Sequence, residues 1–211
     1  MQKRLISSVL FDFDGVLIDS LPAMQVAWLS VQKEFGIKAE FKQYKEFIGL
    51  PFNIILSKLN IDPPLHNSIY QHYSKIASRN KNLINLNPYV EFILSWLSKN
   101  SISTGIVTSK DKLRTYELIE YFQLNIKAII TPELTRLGKP SAQPIIYASK
   151  ELNTPVNQIV FIGDMFSDML TALNSKCLYL HYLKGYQKLL SQTYGGEISS
   201  LMEIAEYIKN F

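Results

Sequence analysis

The sequence predicts an α/β fold: a parallel sheet covered by helices on both faces, with an all-helical block inserted after the first strand. Three observations carry this. From about Pro88 onward, short runs rich in Val, Ile and Leu alternate with helical patterns, as in a sheet buried on both faces. One further apolar run, "VLFDFDG", stands far upstream of the others. Between the two, residues 37–84 contain no convincing strand.

The upstream run ends in Asp12 and Asp14 with Gly15 behind them. Asp-Gly between apolar residues is a hairpin signal, so a tight turn and a carboxylate pair both fit this stretch alone. The next residues weigh against the hairpin. Leu17, Leu21, Met24, Trp28, Val31 and Phe35 recur at alternating spacings of three and four, the stripe of an amphipathic helix. Ser20 suits its N-cap, Pro22 its first turn and Gly36 its end. "FKQYKEFIG", "FNIILSKLN" and "LHNSIYQHYSKIASRN" then read as helical segments, broken at Gly49-Leu50-Pro51 and at Asp62-Pro63-Pro64. Beyond them come helix "YVEFILSWLSKN", strand "STGIVTS", helix "KLRTYELIEYF", strand "IKAIIT", helix "PIIYASKEL", strand "QIVFIG", helix "FSDMLTALN" and strand "CLYLHYL". The expected division is a core of residues 1–15 and 85–211 and a helical insertion of residues 16–84.

At 211 residues, 47% apolar and 19% charged, the chain can bury a sizeable core and is too hydrophobic for disorder. Its net charge is +4, but the basic residues are scattered and form no block of the kind that binds nucleic acid. The single cysteine, Cys177, excludes an intramolecular disulfide, points to a reducing compartment and reads as an inert core thiol. The N-terminal apolar stretch is short and cut by Asp12 and Asp14, so no secretory leader is expected. No membrane span is expected either, because uncharged apolar runs of about 18 residues are lacking. A cytoplasmic protein without nucleic-acid or membrane partners is the expectation.

Four features fall just after predicted strands, where open α/β sheets build their ligand crevices. Asp12 and Asp14 are two apart in an extended segment, so both carboxylates face one way, and Gly15 lets the backbone turn behind them. One could attack as a nucleophile while the other handles a proton; a turn or helix cap uses the same residues. In "IVTSK", Thr108 and then Ser109 can donate to a phosphate oxygen beside the backbone N–H groups of a helix start, although an ordinary strand-to-helix cap has this pattern too. Lys139 in "LGKPSAQP" could neutralise phosphate and keep a carboxylate ionised, or simply be solvated. In "VFIGDMFSD", Asp164 and Asp168 are one helical turn apart and can converge. Such carboxylates repel unless a cation lies between them, and Mg2+ suits carboxylate and phosphate oxygens; a turn aspartate plus an N-cap is the alternative. His66, His72 and His181 are not spaced as a metal cluster and read as surface or partly buried groups. Tyr70 and Tyr73, with Ile69 and Ile76, read as packing of an inserted helix. Lys184-Gly185-Tyr186 follows the last predicted strand, where a loop either lines a site or merely turns.

Together, DxDG, a strand-end Thr, GKP and GDxxxD, in this order and across nearly the whole chain, resemble the haloacid dehalogenase superfamily of phosphohydrolases. The helical insertion looks like the cap of its phosphoglycolate phosphatase and β-phosphoglucomutase branch. The resemblance implies a Rossmann-like three-layer core beneath that cap. It implies Asp12 as a nucleophile forming an aspartyl-phosphate, Asp14 as general acid/base, and Thr108 and Lys139 on the transferring phosphoryl group, with Ser109 beside it. It implies Mg2+ held by Asp12, Asp164 and the Asp14 backbone carbonyl, with Asp168 in support, and a specificity loop at Gly49, Leu50 and Pro51. Three departures leave the reacting groups intact: Pro88-Tyr89 replaces a common Pro-Gly, Ala142 replaces the second proline of KPxP, and Asn174-Ser175 stand near a common Ala-Gly.

The implied activity is Mg2+-dependent hydrolysis of a small phosphomonoester, phosphoglycolate-like or sugar-phosphate-like. A phosphosugar mutase is the alternative, disfavoured because "GLPFN" lacks the arginine with which such mutases hold a second phosphate. Signalling receiver domains share an acidic pair, a Thr and a Lys, but they are shorter, begin with adjacent acidic residues and lack the insertion. A degenerate member that only binds a partner is a further reading, against which all the expected reacting groups are present.

Overall fold

The computed structural model describes residues 5–187 and 194–210. Strand β1 (Ser8–Phe11) leads through a two-residue strand β2 (Ile18–Asp19) into helices α1 (Leu21–Phe35), α2 (Phe41–Lys45), α3 (Phe52–Lys58) and α4 (His66–Arg79). The chain returns through β3 (Asn85–Leu86), which runs antiparallel to β2. It then alternates through α5 (Val90–Lys99), β4 (Ser103–Val107), α6 (Lys112–Tyr121), β5 (Ala128–Ile130) and α7 (Gln143–Glu151). The last elements are β6 (Ile159–Gly163), α8 (Phe166–Ser175), β7 (Leu178–Tyr182), β8 (Gly196–Ile198) and α9 (Glu203–Asn210).

Six strands pair in parallel in the order β5-β4-β1-β6-β7-β8. β1 is central, with Ser8–Phe11 in register with Ser103–Ile106 on one side and Ile159–Ile162 on the other. The chain fills one side of β1 before crossing to the other, so the strand order reverses there. The carboxyl end of β1 is therefore the topological switch point where such sheets open a crevice.

Side-chain alternation builds the layers. Val9 and Phe11 of β1 join Val160 and Ile162 of β6 in a buried cluster closed by Ile93 and Leu97 of α5 and Ile204 of α9. Leu10, Ile159 and Phe161 face the opposite layer, closed by Ile145 and Ala148 of α7 and Met169 and Ala172 of α8. Both faces are buried, as the continuous apolar strands foretold. The insertion has its own core, in which Trp28, Tyr44, Leu56, Ile69 and Tyr73 are buried together. The Trp28 indole N–H donates to the Ala39 carbonyl at 2.9 Å, so this large side chain is buried without an orphaned donor.

Two features of the entry into the insertion refine the sequence expectation. Ser20 stands at the N-cap of α1 but makes no side-chain cap bond; its hydroxyl donates to Asp14 instead. β2 and β3 form a small ladder where the chain leaves and re-enters the core, too short to show any sequence period. β8 and α9 also lay outside the strands and helices expected from the sequence. Tyr89, where the resemblance implies a common glycine, has φ 69° and keeps the left-handed backbone, with its side chain exposed. Gly36 ends α1 in the same conformation, as expected. No helix among the described residues is long and apolar enough to cross a membrane.

Candidate active site

The four sequence-selected groups meet at the carboxyl edge of the sheet. Asp12 extends β1, its N–H donating to the Ile162 carbonyl at 2.8 Å. Its Oδ1 accepts from the Phe13 N–H at 2.7 Å, and its Oδ2 lies 2.9 Å from Lys139 Nζ. Gly15 turns the chain sharply at φ +87°, and a Cβ there would overlap the Asp164 carboxylate. Only glycine serves both needs. Asp164 follows β6, and its Oδ2 accepts the Tyr186 N–H at 2.6 Å. Asp168, in the first turn of α8, accepts the N–H groups of Asp164 and Met165 on Oδ2 at 3.2 and 3.0 Å. Its Oδ1 takes Lys139 Nζ at 2.6 Å. Cβ atoms at Gly163 and Gly185 would collide with Asp168 and Asp164 respectively, so glycines let three backbone segments close around the carboxylates.

Asp12, Asp164 and Asp168 each bring a carboxylate oxygen within 4.8 Å of the others, all three residues buried. Burial pushes the Asp12 carboxyl up to about 8, reinforced by Asp168 and opposed by Lys139. Burial and its neighbours Asp168 and Asp12 likewise hold Asp164 well above the ordinary carboxylate range. Lys139 loses charge stability to burial, but Asp12 and Asp168 more than restore it and raise its pKa. One ammonium thus faces three buried carboxylates. Among the described residues no group hydrogen-bonds the buried Asp164 Oδ1, the kind of orphan a bound ion would satisfy. A small divalent cation fits this donor set. Asp12 and Asp164 could hold it directly, while Asp168, which accepts two backbone N–H groups as well as Lys139, would hold Lys139 and the loop.

Asp14 points elsewhere. Its Oδ1 accepts from the Ser20 hydroxyl and lies 3.1 Å from Lys110 Nζ. Thr108 is buried beside it, its Oγ1 accepting the Lys110 N–H at 3.1 Å, so its own hydroxyl proton is left for another acceptor.

Asp12, Asp14, Thr108 and Lys139 line a narrow cavity of about 40 Å³, roofed by Ile48, Gly49, Leu50, Phe52, Ile55, Tyr44 and Tyr73 from the insertion. Ser109 donates to the Gly49 carbonyl at 2.7 Å, so it ties the roof to the core. Gly49 has φ +95° and little room beside Ser167 and Met165. Pro51 lines the neighbouring groove with Phe52, Tyr70 and Arg114. A larger groove of about 770 Å³ lies around Ser98, Asn125 and Lys127, near the opposite ends of the strands and away from the carboxylates.

Sequence reasoning passed over Lys110 and Arg114, both of which line the cavity. Arg114 is buried, its Nε bonded to Asp111 and its guanidinium 5.2 Å from the centre of the Tyr73 ring. The available signal was position: Lys110 directly follows Thr108-Ser109, and Arg114 lies three residues beyond the N-cap Asp111. Tyr73, expected as packing, is indeed buried, yet its hydroxyl accepts from Tyr44 at 3.0 Å and the pair forms part of the cavity wall. The histidines serve structural contacts: His66 with the Ile61 carbonyl, His72 with Ser30, and His181, fully buried, with Tyr179 and the Gln187 carbonyl. Burial pushes the Cys177 thiol up to about 12, in keeping with an inert core position.

A parallel sheet with a carboxylate-rich switch point and a helical roof inserted after its first strand defines a Rossmann-like α/β fold with a cap. The chain belongs to the haloacid dehalogenase-like hydrolase family, whose pattern matches residues 9–181. It is 26% identical to phosphoglycolate phosphatase from Nitrosococcus oceani over 216 residues, covering 93% of each chain. It is also 26% identical, over 175 residues, to a Caldanaerobacter subterraneus subsp. tengcongensis protein provisionally named the pyrophosphatase PpaX, covering 79% of this chain and 77% of that one. Among solved structures, a hydrolase from Pseudomonas syringae superposes with a TM-score of 0.87 at 21% identity, covering 97% of this chain and 99% of its own.

Proposed function

We propose that this hydrolase is a Mg2+-dependent phosphatase that cleaves a small phosphomonoester through a phosphoryl-enzyme intermediate on Asp12. The observation that carries the reading is the Asp12 carboxylate itself. It is buried at the switch point, held by Lys139 at 2.9 Å and by the Phe13 N–H, and open to the roofed cavity. An oxygen of Asp12 attacks phosphorus as the ester oxygen departs, and Asp14 protonates that oxygen. Asp14 then takes a proton from the water that attacks the aspartyl-phosphate, which releases phosphate, restores the Asp12 carboxylate and returns Asp14 to its protonated form. Thr108 and Lys139 hold the phosphoryl oxygens, where charge accumulates during transfer. Asp12, Asp164 and the Asp14 backbone carbonyl would hold Mg2+, which would supply charge neutralisation and orientation. The roof excludes water during the transfer.

The phosphoglycolate phosphatase among the relatives supports phosphoglycolate as the first ester to try, and the narrow cavity supports a small leaving group. Gly49, Leu50 and Pro51 carry no charge, which disfavours the mutase alternative. The test is phosphate release from p-nitrophenyl phosphate, phosphoglycolate, sugar phosphates and pyrophosphate, with and without chelator, in wild type and Asp12→Asn. Mg2+-dependent turnover that Asp12→Asn lowers at least about 10⁴-fold is expected. Turnover that survives the substitution sinks the covalent route, and isomerisation of a glucose phosphate with a bisphosphate activator would reinstate the mutase.

A further inference from the structure

The loop after β7 touches both halves of the site through one residue. The Tyr186 N–H donates to Asp164 Oδ2 at 2.6 Å. Its phenol oxygen accepts the Ser20 N–H at 2.8 Å and lies 3.1 Å from Ser20 Oγ. Ser20 gives its hydroxyl proton to Asp14 Oδ1, so in the Tyr186–Ser20 pair the tyrosine is the donor. Asp19 Oδ1, at 3.5 Å, is the more distant acceptor available to that proton. The hydrogen bonds therefore run in one direction, from Tyr186 to Ser20 to Asp14, and each strengthens the next.

The consequence falls on Asp14. Its Oδ1 receives both Ser20 and Lys110, while no hydrogen bond or ion pair from a described residue reaches its Oδ2. The two oxygens of one carboxylate are thus made unequal. Gly185 lets Tyr186 come this close, because a Cβ at position 185 would overlap Asp164. The ring packs against the core of the insertion, so the loop joins cap, proton carrier and metal-side carboxylate.

We propose that Tyr186 is a positioning residue for proton transfer: acting through Ser20, it anchors Asp14 Oδ1 and leaves Oδ2 as the oxygen that gives and takes the proton. The proposal rests on the phosphatase reading. As the bond between phosphorus and the ester oxygen breaks, the Oδ2 proton passes to that oxygen, and Oδ2 recovers a proton from the attacking water in the second step.

The leaving group supplies the test. A nitrophenolate departs without a proton, whereas an alkoxide needs one. Tyr186→Phe removes the hydroxyl and keeps both the N–H to Asp164 and the ring. We expect kcat/KM for alkyl phosphates to fall about tenfold while that for p-nitrophenyl phosphate changes less than about twofold. Ser20→Ala should give the same split, and the double variant should be no worse than either single one, since both break one chain of contacts. An equal loss on both ester classes would reduce Tyr186 to a structural residue, and no loss on either would remove it from the reaction. If the wild type hydrolyses neither ester, the phosphatase reading fails and this proposal with it; if it hydrolyses both and the split is missing, only the proposal falls.

Discussion

The floor and the roof of the cavity are built on opposite plans. The floor gathers Asp12, Asp164 and Asp168 around Lys139 within a few ångströms, on strand ends and a helix start whose glycines permit the crowding. The roof brings Ile48, Leu50, Phe52, Ile55 and two tyrosines, and no charged side chain. Even the cations at its margin, Lys110 and Arg114, come from the core. Charge is concentrated on the core, and the apolar lining is left to the insertion. On the proposed mechanism, recognition of a charged leaving group would fall to the core as well, and the roof would set size and exclude water.

Three substitutions sharpen that contrast. On the floor, Asp164→Asn should lower kcat about 10³-fold by weakening the cation site, without loosening the fold. Asp12 and Asp164 both hold raised pKa values in the metal-free protein. The folded state thus binds protons that the unfolded chain, with carboxyl pKa near 4, has released. Metal-free stability should therefore fall as pH rises from about 4 towards the Asp12 value of about 8. Thermal melts across this range should show the decline in wild type, its reversal by Mg2+, and a flatter profile in Asp164→Asn; a wild-type profile indifferent to Mg2+ would break the assignment. In the roof, Trp28→Ala should cost about 3–5 kcal/mol by emptying the core of the insertion, read as a lower urea midpoint. The smallest effect belongs to the join. Ser109→Ala removes the bond to the Gly49 carbonyl and should cost about 1 kcal/mol, seen as a melting temperature lower by about 2–4 °C with a several-fold fall in kcat/KM.

Legibility divides along the same line. Asp12, Asp14, Thr108, Lys139, Asp164 and Asp168 could be picked from the sequence because each follows a strand, and strand ends converge by topology. Their convergence is observed; their roles await the experiments above. The roof's helices were legible as helices, but its cavity face was not. Tyr73 packs and lines the cavity at once, and the helical period that reveals burial does not separate the two. Ser20 was read as a helix cap because its residue type and position fit one, whereas Asp14 competes for the same hydroxyl. Tyr186 gains meaning only from Asp164 and Ser20, far away in sequence. β2 and β3 pair two residues each, below the length at which alternation carries a signal.

The place of the insertion also orders events during synthesis. β1 leaves the ribosome first, yet its neighbours β4 and β6 follow only after the whole helical block. Helices α1 to α4 bury most of their apolar side chains against one another, with Met165 and Tyr186 joining from the core, and these local contacts are available while β1 still waits for both partners. Asp12 has neither Lys139 nor Asp164 beside it until most of the chain has emerged. A nascent chain halted before β6 would thus carry a roof still lacking Met165 and Tyr186 over a floor that does not yet exist, and hydrolytic competence would arrive among the last acts of folding.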